Sequence, residues 1–86
     1  MPTAQGLLYL TKSELRIVLT LAAFPGQYIG PMAVTEVSGM PAGTVRPGLI
    51  KLVEAGWIEY NKHQRTYRGN ISVVEVLAFL IERLKP

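Results

Sequence analysis

The 86-residue sequence predicts a mainly α-helical domain with one small antiparallel β-hairpin, which is an α+β fold. Two capping boxes, each a hydroxyl residue followed three positions later by glutamate, stand at residues 11–14 and 72–75 and open the first and last predicted helices. After Gly56 the apolar residues change from a helical period of about 3.6 to a strand period of about 2. Helices on both sides of a short hairpin are therefore expected.

Three helices precede the hairpin. They are predicted at residues 12–23, 31–38 and 43–55, with a short extended piece at 27–29. Pro47 lies inside the third helix, and we expect it in or just after the first turn, where backbone N–H groups have no helical partner to lose. The residues expected to face the core are Leu15, Val18, Leu19 and Ala22 in the first helix, Met32 and Val37 in the second, and Val45, Leu49, Leu52 and Val53 in the third.

Two strands and a last helix complete the chain. The strands are predicted at residues 57–60 and 66–71, and the last helix covers residues 72–86. Residues 1–10 are predicted to be an N-terminal arm, and the whole chain is predicted to be one domain. The order helix, short strand, helix, helix, strand, strand, helix is that of a winged helix-turn-helix domain.

Composition narrows the chemistry that the chain can perform. The sequence contains no cysteine, no aspartate and one histidine, which excludes disulfides, thiolate metal sites and most catalytic constellations. We therefore expect a protein that is not an enzyme and that has no metal and no cofactor. The net charge of +3 permits an anionic partner without requiring one. No signal peptide or membrane-spanning run is visible, which predicts a cytoplasmic, nucleoid-associated protein with no membrane partner.

The third predicted helix, about residues 43–55, is the candidate recognition helix. Such a helix enters the major groove and places residues of its N-terminal half against base edges. Arg46 can make a bidentate contact to guanine or hold a phosphate. Gly43 and Gly48 have no side chain and allow the helix backbone to come close to the DNA. The alternative is that the basic residues form only a solvated face. The candidate DNA-binding residues of this helix are Gly43, Thr44, Arg46, Gly48 and Lys51.

The hairpin tip, residues 61–68, is the candidate wing. From Tyr60 to Asn70 the sequence carries several basic residues and no acid, as expected for a tip that follows phosphates or enters the minor groove. The alternative is that any exposed turn is polar. His63 has no ligand residue beside it and is expected to be solvated rather than bound to a metal. The candidate DNA-binding residues of the wing are Lys62, His63, Gln64, Arg65, Thr66 and Arg68.

The last predicted helix is apolar on nearly all sides and needs burial on more than one face. A domain of 86 residues offers little core to cover both faces, so we expect a homodimer across this helix. The alternative is that the N-terminal arm folds over the second face within one chain. The candidate dimer-interface residues are Leu7, Leu8, Leu10, Val74, Ala78, Phe79 and Ile81.

The stretch "GTVRPGLIKLVEAGWIE", followed by "RTYRG", resembles winged-helix transcriptional regulators, and among them the PadR-like group most closely. Arg46 stands where that group usually has tyrosine, and the segment after the wing lacks the group's threonine-x-x-glycine. The resemblance implies sequence-specific binding of a dimer to a pseudo-palindromic operator in double-stranded DNA, usually for repression. The matching residues are Gly43, Thr44, Val45, Pro47, Leu49, Leu52, Glu54, Gly56, Ile58, Tyr67 and Arg68.

Two other functions remain open at this point. The net charge is only +3 and Glu54 and Glu59 flank the basic region, so the winged helix could instead be a protein–protein interaction module. A sequence-indifferent architectural DNA-binding protein is the other alternative. Its affinity would depend steeply on salt and differ little among duplexes.

Overall fold

The secondary structure follows the local capping and breaking signals. The computed structural model describes residues 3–85, and its four α-helices and two hairpin strands lie in the predicted order. They are a 3₁₀ helix at Ala4–Tyr9, helix α1 at Lys12–Ala22, helix α2 at Pro31–Ser38, helix α3 at Ala42–Glu54, strand β1 at Ile58–Asn61, strand β2 at Thr66–Gly69 and helix α4 at Val73–Arg83. The predicted mainly helical fold with a small antiparallel hairpin is confirmed, and the order is consistent with a winged-helix-like layout.

The N-terminal segment is packed rather than extended as an arm. Residues 1 and 2 of the predicted arm, and residue 86 of the predicted last helix, lie outside the described residues. The 3₁₀ helix lies against Trp57, and a Cβ added at Gly6 would be 3.0 Å from the indole Cζ2. Leu7 is 6% exposed and belongs to the core. The predicted arm is therefore folded onto the domain, and Gly6 lets it approach the indole closely.

Helix α1 lies at the centre of the core. Its capping box forms as predicted: the Thr11 N–H donates to Glu14 Oε1 at 2.9 Å, and the Glu14 N–H donates to Thr11 Oγ1 at 3.2 Å. The helix contacts α2, α3 and β2, so its buried face is wider than one stripe. Val18 and Ala22 of the expected stripe are buried, Leu15 is half-buried, Leu19 is exposed, and Ile17 and Leu21 are buried in addition.

Helix α2 ends before Gly39, whose φ of 72° is a left-handed conformation that glycine adopts easily. Its buried residues, Val34 and Ser38, are four positions apart and form one inner face. The prediction that Met32 and Val37 face the core is wrong, since both are exposed. In a helix of 8 residues with apolar side chains on two faces, periodicity alone does not decide which face is buried.

Pro47 is the sixth residue of α3 and lies beyond its first turn. The Val45 N–H already donates to the Pro41 carbonyl at 3.1 Å. A residue with an N–H at position 47 would bond to the Gly43 carbonyl, which proline cannot do. The prediction that Pro47 has no helical hydrogen bond to lose is therefore wrong, although the helix continues through it to Glu54. The buried residues of α3 are Val45, Leu49 and Leu52, as predicted.

Strands β1 and β2 pair antiparallel and place their side chains on two faces. The register sets Glu59 opposite Arg68 and Tyr60 opposite Tyr67. Because successive side chains of a strand alternate between faces, these two pairs lie on opposite sides of the sheet. The predicted extended piece joins the sheet at Ile29, which exchanges two backbone hydrogen bonds of 2.8 Å with Tyr67.

The core is one cluster formed by residues of the 3₁₀ helix, all four α-helices and the hairpin. The buried apolar residues are Leu7, Ile17, Val18, Leu21, Ala22, Val34, Met40, Val45, Leu49, Leu52, Trp57, Ile58, Ile71 and Val76.

Within residues 3–85, no helix is long and apolar enough to cross a membrane.

Candidate nucleic-acid interface

An open groove of about 570 Å³ runs between the start of α2, the outer side of α3 and the hairpin tip. We call it the α3–hairpin groove. Arg46 of α3 and Arg65 of the turn both line it, and its lining, which lies wholly in the described residues, contains no acidic side chain. The other lining residues are Gly30, Pro31, Met32, Ile50, Tyr60, Gln64, Thr66 and Tyr67.

A pair of tyrosines forms one wall of the groove. The rings of Tyr60 and Tyr67 face each other across the strands with centroids 4.9 Å apart. Burial raises the pKa of Tyr67 above its usual range and Tyr60 raises it further, while the nearby positive charge of Arg46 acts in the opposite direction. The Tyr67 phenol therefore stays protonated at neutral pH and is able to donate a hydrogen bond.

The hairpin turn holds Arg65 in an unusual backbone conformation. The Asn61 side chain organises the turn, because its Oδ1 accepts from the N–H groups of His63 at 3.0 Å and Gln64 at 3.3 Å. Arg65 has a φ of 55° and is the only non-glycine among the described residues with a positive φ. This conformation costs a residue other than glycine roughly 1–2 kcal/mol. The turn exposes Lys62, His63, Gln64 and Arg65 as predicted.

Arg46 and Lys51 do not share a surface. Five residues of helix separate them by about 140° around the helix axis. The pKa of Glu14 is lowered mainly by the hydrogen bond from the Thr11 backbone and further by the positive charge of Lys51. Lys51 is therefore near the start of α1, on the flank of α3 away from Arg46.

The two glycines predicted to approach DNA lie in different environments. Gly43 is exposed, and a Cβ added there would meet no atom within 4 Å. Gly48 faces α1, where an added Cβ would be 2.6 Å from Cδ1 of Ile17. The prediction for Gly48 is therefore wrong, since its contact is the α1–α3 packing. Thr44 is half-buried at the start of α3.

Arg68 is engaged on the outer face of the hairpin rather than in the groove. Its guanidinium forms an ion pair with Glu59 and lies over the Tyr28 ring, 5.0 Å from the centroid. The Tyr28 hydroxyl also donates to Glu59, at 3.2 Å. The Glu59 carboxylate offsets the charge of Arg68, which makes this residue a weaker candidate for a phosphate contact than Arg46 or Arg65.

Thr66 is also unsuitable for the predicted contact with phosphate. Its hydroxyl oxygen is buried and has no hydrogen-bond partner among the described residues. Strand pairing places Thr66 opposite Asn61 at the base of the turn.

The residues predicted at the dimer interface divide into two groups. Leu7 is buried in the core, and Leu10 and Phe79 pack against it, so the prediction is wrong for these three. The reason is the folded 3₁₀ helix, which packs on the inner face of α4. The exposed members are Leu8, Val74, Ala78 and Ile81.

Sequence reasoning missed the aromatic wall and the apolar lining of the groove. Met32, which was expected to face the core, is 83% exposed. Ile50, to which the sequence assigned no role, is 58% exposed. The tyrosine pair could have been found from the sequence, because a turn of four residues between Asn61 and Thr66 sets Tyr60 opposite Tyr67.

Residues 3–85 contain no group of three or more metal-ligating side chains close enough to hold an ion. No family model, curated protein or solved structure matches this chain. The geometry and charge of the α3–hairpin groove are the features of this chain that bear on its function.

Proposed function

We propose that this chain is a winged helix-turn-helix domain that binds double-stranded DNA in a sequence-specific manner and acts as a transcriptional regulator without enzymatic activity. In this assignment α2 and α3 are the helix-turn-helix, α3 is the recognition helix and the β1–β2 hairpin is the wing. The resemblance to PadR-like regulators favours a repressor. The observation that carries the proposal is the α3–hairpin groove, which has Arg46 on one side, Arg65 on the other and no acid.

A phosphate strand of DNA suits this groove chemically. A guanidinium presents donors in a planar fork that matches phosphate oxygens, and two of them lie on opposite sides of the groove. The protonated Tyr67 supplies a further donor. Arg65 keeps a conformation that glycine or asparagine would adopt more easily, which is consistent with a use for its side chain.

The exposed N-terminal half of α3 would then lie in the major groove. Gly43 has open space around it, so the backbone there can approach the duplex. Arg46 is exposed and can reach either a guanine edge or a phosphate. Lys51 and Arg68 have no part in this interface, because each lies beside a glutamate on another surface.

The proposal is tested first by selection of bound sequences from a pool of random duplexes at about 150 mM salt. The expected result is enrichment of a defined site. Binding without enrichment would indicate the architectural alternative, and absence of binding would contradict the proposal.

Variants of Arg46 and Lys51 on α3, and of Arg65 on the hairpin turn, then locate the interface. Arg46→Ala is expected to weaken binding by about 1–3 kcal/mol and to relax preference at one base position. Lys51→Ala removes the same charge from the same helix on the other flank, so affinity should remain unchanged. Arg65→Ala is expected to weaken binding to all duplexes and to lower the salt slope by about one. Equal losses for Arg46→Ala and Lys51→Ala, measured by fluorescence anisotropy, would show that α3 contributes only diffuse charge.

A protein–protein interaction module is the second candidate. The observation that favours it is the apolar lining of the groove, where Met32 and Ile50 are exposed beside Arg46. Met32→Ser would weaken binding to a protein partner, whereas Arg65→Ala would have little effect on it. Duplex binding that depends on Arg65 and is insensitive to Met32→Ser would reject this candidate.

A further inference from the structure

Ile50 is a large aliphatic side chain on the outer side of α3 and lies outside the hydrophobic core. It is 58% exposed and lines the α3–hairpin groove together with Arg46. Four residues of helix separate the two side chains by about 6 Å along the helix axis and about 40° around it. Arg46 and Ile50 therefore belong to one outward row of α3, whereas Leu49 and Leu52 are buried.

The outward row of α3 changes in character along the helix. Arg46 is followed one turn later by Ile50 and a further turn later by Glu54, and all three residues are exposed. Glu54 lies beyond the α3–hairpin groove, in the lining of a neighbouring cleft that also includes Ile50 and Tyr60. Because a carboxylate repels phosphate, a duplex that lies against Arg46 can extend along this row as far as Ile50.

The major groove of DNA offers one apolar group to such a side chain. Thymine presents its C5-methyl group there, whereas the other groups on the base edges are hydrogen-bond donors and acceptors that an aliphatic side chain cannot satisfy. In zinc-finger helices, contact residues three or four positions apart meet successive bases. A base contacted by Ile50 is therefore expected within about two base pairs of the position that Arg46 contacts.

We propose that Ile50 reads a thymine through its C5-methyl group, within about two base pairs of the position contacted by Arg46. This inference rests on the proposed DNA binding and adds a specificity-determining residue to it. The exposed Ile50 side chain and the thymine methyl both leave water when they meet, which makes the contact favourable. Cytosine has no methyl group and its edge presents an amino donor instead, so a C·G pair at this position gains nothing from Ile50.

Replacement of single thymines by uracil tests the proposal in the duplex that the wild-type chain enriches from the random pool. Uracil keeps the pairing with adenine and lacks only the C5-methyl group. At one thymine near the position whose preference Arg46→Ala relaxes, the wild-type chain is expected to lose affinity about fourfold, the effect of one methyl-sized group. Ile50→Ala should bind the thymine and uracil duplexes equally, since alanine is too short to touch the methyl. Fluorescence anisotropy measures all four affinities, and their comparison is a double-mutant cycle.

Ile50→Ala is not expected to disturb the fold, because Ile50 is exposed and alanine is the better helix former. Met32→Ser is the matched control, since Met32 is an exposed apolar residue of the same groove but belongs to α2. The first helix of a helix-turn-helix crosses the DNA backbone, so this variant should keep the wild-type response to uracil.

Two results would overturn the thymine contact while an enriched site still supported DNA binding. One is a wild-type chain whose affinity no single uracil lowers. The other is an Ile50→Ala variant that loses as much affinity as the wild type on the uracil duplex. Failure of the random pool to yield any enriched site would instead overturn both the sequence-specific DNA binding and the contact that rests on it.

Discussion

Two glycines of α3 differ in the space around their α-carbons. A Cβ at Gly48 would come within 2.6 Å of Cδ1 of Ile17, whereas a Cβ at Gly43 would meet nothing within 4 Å. Ile17 is fully buried, so its side chain cannot rotate away without displacing other core residues. The contact explains why a residue of low helix propensity occupies the middle of α3.

Substitution of each glycine by alanine tests this interpretation. Gly43→Ala is expected to raise the free energy of unfolding by about 0.5–1 kcal/mol, because alanine is the better helix former. At Gly48 the same gain is opposed by overpacking of about 1–3 kcal/mol, so Gly48→Ala is expected to lower stability. Urea unfolding followed by circular dichroism measures both values. Equal effects of the two substitutions would mean that Ile17 moves aside without cost.

At the scale of single residues, the neighbours of a basic side chain decide whether it lines the α3–hairpin groove or pairs with an acid. Arg65 and Arg46 line the α3–hairpin groove, whereas Arg68 pairs with Glu59. From the sequence all three are candidates for DNA binding, Arg46 by its place in the predicted recognition helix and Arg65 and Arg68 by the acid-free stretch from Tyr60 to Asn70. The register of the hairpin sets Glu59 opposite Arg68, and the resulting ion pair makes Arg68 a weaker candidate for the interface.

The stability of the first turn of α1 depends on pH. Glu14 has a lowered pKa, first because the Thr11 backbone N–H donates to its carboxylate. The folded chain therefore has a lower pKa than the unfolded chain, for which 4.5 is the ordinary value. The stabilisation is complete above the unfolded pKa and is lost as the pH falls through the folded pKa.

Thermal unfolding of the wild type and of Glu14→Gln checks this pH dependence. Glutamine keeps an oxygen that accepts from Thr11 but has no titrating charge. At neutral pH the wild type is expected to be the more stable of the two. At about pH 3 the difference should shrink, because the Glu14 carboxylate becomes protonated. A difference that stays constant between the two pH values would contradict the assignment.

At the scale of elements, prediction succeeded where the signals are local. The capping box at Thr11, the Ser72 side-chain cap, Gly39 and Gly56 set the ends of helices through interactions within a few residues, so the observed bounds lie close to the predicted ones. The buried face of α2 was not predictable in this way, because its apolar residues lie on two faces and the choice depends on α1 and α3. Pro47 shows the same limit, since its effect depends on where the helix begins.

For the whole molecule, the expected homodimer across the last helix predicts that stability depends on protein concentration. If two copies associate through the exposed apolar residues of α4, which include Val74 and Ile81, the dimer is the stable folded species and the melting temperature rises with concentration. Ile81→Lys is expected to lower the melting temperature and to remove that dependence. Differential scanning calorimetry at several concentrations measures both effects. A melting temperature of the wild type that does not change with concentration would argue that a single copy folds without the partner.

By itself, the sequence determined the elements, their order and the chemistry that is impossible without cysteine or aspartate. These features depend on composition and on interactions between residues a few positions apart. The tertiary structure decided which side chains share a surface: Arg46 with Arg65, Gly48 with Ile17, and Arg68 with Glu59. Such pairs join residues distant in sequence or on different sides of one helix. Their proximity is set by helix packing and strand register, which no local pattern encodes.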